Sequence, residues 1–147
     1  MKVIMFIIIV FVVSALSDIL LNLLSKNQVI KKNNWKIILS LKPYFKNKSM
    51  TQSAVYAGIT ILVALFINIL ISKNIFGFYV PSNNNELLKF ISIAFPLGYI
   101  IDIIIDKFKI FGNSLDLYYK VAGAGLWGAL AFVFSIIISY LLTILFQ

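Results

Sequence analysis

Long apolar stretches recur four times along the chain, separated by segments where lysine, asparagine and helix breakers collect. The last, residues 121–146 (VAGAGLWGALAFVFSIIISYLLTILF), carries no charge at all. At helical rise it makes roughly 39 Å of helix, longer than the about 30 Å hydrocarbon core of a bilayer. A helix apolar on every side belongs inside a large protein core or inside lipid. A chain of 147 residues cannot supply a core of that size. The pattern therefore predicts a membrane span.

Residues 3–24 (VIMFIIIVFVVSALSDILLNLL) predict another. The apolar run behind Lys2, followed by Ser14-Ala15-Leu16-Ser17, also matches a cleavable signal peptide. Hydrophobicity resumes after Asp18, which lengthens the stretch to a full span, so it reads as an uncleaved first helix. Residues 54–71 form a second span of nearly minimal length, and residues 87–105 a third. Pro96 and Gly98 fall near the middle of the third, where proline removes a backbone hydrogen bond and permits a kink. Between the second and third, residues 72–85 read as a loop because of Gly77, Pro81 and Ser82-Asn83-Asn84-Asn85. Within it, Ile75, Phe76, Phe78 and Tyr79 are too apolar for free solvent and should rest at the membrane interface. The predicted fold is all-α: a four-helix transmembrane bundle with spans 3–24, 54–71, 87–105 and 121–146, forming one membrane domain over residues 1–147.

The connections 25–53 and 107–120 differ sharply from the spans. Residues 25–53 hold seven lysines and no acid. At their centre, Trp35 to Lys42 mixes apolar and cationic positions before Pro43 ends any helix. This predicts a basic interfacial segment between helices 1 and 2. Lys31, Lys32, Lys36, Lys42, Lys46 and Lys48 would reach lipid phosphates or an acidic partner, with Trp35 at headgroup level. Asn47-Lys48-Ser49 is a formal glycosylation acceptor that the topology leaves unused. Residues 107–120 hold three more lysines. Ten of the thirteen basic residues thus lie in the two odd-numbered connections. Lysine bias in short loops sets orientation, so both connections should face the cytosol.

Composition narrows the chemistry. The chain is 61% hydrophobic and 12% charged, with mean hydropathy +0.99 and net charge +8. It has no cysteine and no histidine, and every basic residue is lysine. Thiolate chemistry, disulfides and histidine general-base or metal chemistry are therefore outside its reach. No catalytic, cofactor-binding or metal-ligating residue is expected, and no cofactor. Lysine also serves planar, bidentate phosphate recognition less well than arginine. The positive charge reads as a general attraction to anionic lipid or an acidic protein, with nucleic acid not expected.

Ionisable groups inside a span are functional candidates because each is costly in lipid. Asp18 and Asp102 should lie at similar depths in the first and third helices. With Asn22, Asp106 one turn below Asp102, and Lys120 at the start of the fourth helix, they make a candidate intramembrane polar cluster. Ser14, Asp18 and Asn22 share one helical face. The cluster is either a pin that sets helix order or the lining of a proton or cation path.

Gly123-Ala124-Gly125-Leu126-Trp127-Gly128 matches G-x-G-x-x-G. The dinucleotide fingerprint, however, needs a preceding strand and a βαβ unit, and here a polar loop precedes a membrane helix. Gly125 with Ala129, and Ala124 with Gly128, fit instead the spacing of small residues that lets membrane helices approach closely. Phe132, Ser135 and Ser139 continue that face. The contact is either within the bundle or between copies in a homo-oligomer.

Phe95-Pro96-Leu97-Gly98-Tyr99-Ile100-Ile101-Asp102, then Lys109-Ile110-Phe111-Gly112-Asn113-Ser114-Leu115-Asp116-Leu117-Tyr118-Tyr119-Lys120 and Ala122-Gly123-Ala124-Gly125-Leu126-Trp127-Gly128-Ala129, resemble small polytopic membrane proteins of large nucleocytoplasmic DNA viruses. The likeness covers chiefly the C-terminal third and is one of texture. It implies a protein of the membrane beneath an icosahedral capsid, of minor capsid type, with other capsid or membrane proteins as partners. It brings no catalytic residues. The resulting expectation is a structural membrane protein that anchors a capsid layer through its lysine-rich loops. The alternative is a small channel or transporter using Asp18 and Asp102.

Overall fold

The computed structural model describes residues 2–26, 50–107 and 126–146. Four helices account for nearly all of them: α1 (Lys2–Lys26), α2 (Met50–Phe76), α3 (Asn84–Lys107) and α4 (Leu126–Leu145). Each is long and apolar enough to cross a membrane. Around the bundle, α1 packs on α2 and α4, and α3 packs on the same two. Contacts fix the directions. Phe6 meets Phe90 near the starts of α1 and α3, while Tyr140 near the end of α4 reaches Asn84 at the start of α3. The α1 C-terminus, α2 N-terminus, α3 C-terminus and α4 N-terminus therefore share one end.

What faces outward shows which solvent suits the bundle. Ile4, Ile8, Leu16 and Leu20 form a stripe along α1 and are 64, 58, 59 and 57% exposed. Val63, Phe66 and Leu70 on α2 and Phe134 and Leu141 on α4 are likewise exposed. Inside lie Ser14, Asp18, Asn68, Ser72, Asp102, Ser135 and Ser139, all buried. A water-soluble bundle puts its large aliphatics inside and its carboxylates outside. Lipid reverses the preference, because a polar group facing hydrocarbon has no water to bond.

The core is built of Phe6, Val10, Ala64, Leu65, Phe90, Ala94, Phe132 and Ile136, each at most 2% exposed. The Phe6 and Phe90 rings meet edge to face at 6.2 Å and 85°, worth about 1 kcal/mol beyond the area they bury. Close approach between helices depends on small residues. A Cβ on Gly58 would stand 2.5 Å from the Phe11 ring, and one on Gly98 would stand 3.1 Å from the Ala129 Cα.

The expected end of the second helix shifts. The polar run Ser72, Lys73 and Asn74 predicts that the second helix stops at residue 71. It continues to Phe76, so Ile75 and Phe76 are helical and the α2–α3 connection is only residues 77–83. The reason lies in the backbone. Helical hydrogen bonds continue until Gly77, which takes φ +86° and donates its N–H to the carbonyls of Lys73 and Ser72 at 3.2 and 3.1 Å. That left-handed glycine ends the helix. On the far side, Asn83 Oδ1 accepts the Glu86 N–H at 2.9 Å, the side-chain cap that starts α3. As the span 87–105 requires, α3 continues through Pro96, which lies on the exposed face. The basic interfacial segment and residues 121–125 lie outside the described residues.

Candidate functional site

Carboxylate and amide side chains enter the bundle interior at two levels. One lies toward the end where the lysine-rich connections attach. Phe6 and Phe90 touch, α1 and α3 run in the same direction, and Asp18 and Asp102 each lie twelve residues further along. Equal steps put both carboxylates at the same depth, roughly 18 Å from the Phe6–Phe90 contact. They are 6 and 7% exposed, on helices that face each other across the ring. Neither is without a partner.

Asp102 lies directly against α4. A Cβ on Gly128 would collide with the Asp102 Cβ and Cγ and stand 3.1 Å from Oδ2. Glycine at 128 thus makes the space the carboxylate fills, and Ala129 beside it is completely buried. The small-residue face of α4 is where α3 docks. It continues into Phe132, Ser135 and Ser139, all buried. Ser135 Oγ donates to the Ala131 carbonyl at 2.9 Å and Ser139 Oγ to the Ser135 carbonyl at 2.6 Å, so these hydroxyls are satisfied inside their own helix. Ser14 Oγ does the same, donating to the Phe11 carbonyl at 2.9 Å.

The other expected members fall elsewhere. Asn22 and Asp106 stand one turn beyond Asp18 and Asp102 on their helices, with side chains outside the described residues. Lys120, Gly123, Ala124, Gly125, Lys31, Lys32, Trp35, Lys36, Lys42, Lys46 and Lys48 lie outside them altogether. Among the described residues, no three of Asp, Glu, His or Cys gather where a metal ion could be held.

The second polar level was missed. Asn68 and Ser72 of α2 are fully buried near the opposite end, where Asn68 Nδ2 donates to the Phe90 carbonyl at 3.4 Å. The signal was present: an amide inside an apolar run, with a hydroxyl four residues on, is the same pattern that singled out Ser14, Asp18 and Asn22. Between the two levels the interior is filled by Val10, Leu65, Ala94, Phe132 and Ile136, none more than 1% exposed, and the buried Ser14 and Ser135 there donate their hydroxyls to carbonyls of their own helices.

This arrangement can pin helices to one another. It offers no nucleophile beside a base and no convergent set of donors among the described residues. Comparison of the chain with protein-family models, with curated proteins and with solved structures finds no match.

Proposed function

We propose that this is a structural integral membrane protein that holds an anionic surface against its membrane through its lysine-rich connections. The observation that carries the reading is the shared end. The helix termini flanking residues 27–49 and 108–125 lie together, so the two connections that hold eight of the thirteen lysines attach at one end of the bundle, beside Lys26 and Lys107. The closely packed and mostly apolar layer between the two levels, whose serine hydroxyls bond within their own helices, supports an anchor rather than a conduit. In this reading Asp18 and Asp102 hold helix order, and the basic face is cytosolic. From the C-terminal resemblance alone we place the protein in the membrane beneath a viral capsid, with an acidic capsid component as partner. Recovery from detergent-stripped virus particles tests that setting, and recovery only from cellular membranes counts against it.

Near an anionic surface each lysine contributes about 1 kcal/mol. Replacing Lys31, Lys32, Lys36 and Lys42 by glutamine should weaken binding of the nanodisc-held protein to phosphatidylserine vesicles roughly a thousandfold. The far-UV spectrum should not change. Binding that is unaltered at physiological salt removes the reading.

The common depth of Asp18 and Asp102 favours one rival, a small ion channel or transporter. Purified protein in a planar bilayer decides it: a conductance abolished by Asp102→Asn would replace the scaffold reading.

A further inference from the structure

Asn68 and Ser72 take no part in the scaffold reading. They stand one turn apart on α2, and both are fully buried. The Asn68 amide is turned toward α3 by its bond from Nδ2 to the Phe90 carbonyl. Its Oδ1 is left with no donor among the described residues, and Ser72 Oγ has no partner among them either. The other buried serines behave differently. Ser14, Ser135 and Ser139 each donate to a carbonyl three or four residues back. Ser72 forgoes that bond.

The two atoms lack complementary things. An amide oxygen requires a donor, while a hydroxyl can both give and take a hydrogen bond. Side chains four apart on a helix lie on one face with Cβ atoms about 5–6 Å apart, so their polar ends can approach a common partner. We propose that Asn68 Oδ1 and Ser72 Oγ hold one buried water molecule between α2 and α3. Water has two donors and two acceptors, and buried waters characteristically settle between otherwise unsatisfied polar atoms. The surroundings fit a small neutral ligand. Leu65 and Phe90 are completely buried nearby in the core, and Phe78 closes in from the loop, its ring 6.5 Å from that of Phe90. A cation would find one amide oxygen and one hydroxyl, far short of the six or more oxygens a hard metal ion takes.

The test uses the full chain purified in detergent. A map that resolves ordered solvent should show a peak within hydrogen-bonding distance of both atoms. A Ser72 hydroxyl turned onto the Asn68 carbonyl, with no peak, overturns the proposal. Thermal unfolding of Ser72→Ala, Asn68→Leu and the double variant gives a second reading. If one water serves both side chains, each single change lowers the midpoint and the double variant lies no lower than the worse single. Strictly additive losses overturn the shared site. Stabilisation by sodium at constant ionic strength that Ser72→Ala abolishes would also overturn it, in favour of a cation.

Discussion

The two halves of the bundle differ in the contacts that hold them. At the end carrying residues 77–83, the helix termini are satisfied locally. Gly77 closes α2 with its own N–H, Asn83 caps α3, and Glu86 Oε2 accepts from the Ser82 N–H and hydroxyl at 2.8 and 2.6 Å. Lys73 lies 4.7 Å from the Tyr79 ring centre and Lys89 lies 5.5 Å from that of Phe76, which keeps both ammonium groups beside aromatic faces at the boundary. At the opposite end, the described contacts run between helices: Asp102 against Gly128, Gly98 against Ala129 and Phe11 against Gly58. The first end depends on backbone conformation and capping, the second on steric fit. Substitutions should therefore cost little at the first and much at the second.

The largest effect on the folded bundle is expected at Gly128. A leucine there occupies the volume of the Asp102 side chain and forces α3 and α4 apart or displaces a buried carboxylate. Overpacking of this kind costs about 3 kcal/mol. Unfolding of the purified protein by increasing SDS should show the loss. A Gly128→Leu protein as stable as the parent would mean that the helices at this end are not held by fit.

Gly77 gives the matching test at the other end. It sits at φ +86°, and a Cβ added there would meet nothing within 4 Å. Valine in its place therefore clashes with no neighbour and suffers only conformational strain. That costs about 1–2 kcal/mol, less than at Gly128 although the residue looks more constrained. The same SDS titration measures it. A loss equal to that of Gly128→Leu would erase the distinction between the ends.

The four helices were legible because lipid imposes a simple rule: a span must be long, apolar and hydrogen-bonded within itself. The depth match of Asp18 and Asp102 was legible for the same reason, since equal counts along parallel helices give equal depths. Helix ends were harder. Ser72, Lys73 and Asn74 look like the start of a loop, yet a helix can carry polar residues to the membrane boundary and stops where a residue such as Gly77 can turn left-handed. Asn68 and Ser72 carry no charge and so stand out less than the carboxylates in an apolar run. An uncharged amide is nonetheless as strong a mark of the interior as a carboxylate once hydrocarbon lies outside.

The smallest effects should come from one hydrogen bond that ties the ends of α3 and α4 together, and its two partners should not cost the same. The Tyr140 hydroxyl donates to Asn84 Oδ1 at 3.1 Å. Tyr140 is 5% exposed, whereas Asn84 is exposed at the loop end. Asn84→Ala strands a buried hydroxyl and should cost about 1 kcal/mol. Tyr140→Phe keeps the ring in the core and frees an amide that can turn to water, so it should cost about 0.6 kcal/mol, the average for bonds between membrane helices. SDS unfolding of both variants, read against the double variant, separates the bond from the burial. Equal losses would mean that water already reaches the Tyr140 hydroxyl, and that the loop end is closed by its caps and aromatic rings less tightly than the buried ring implies.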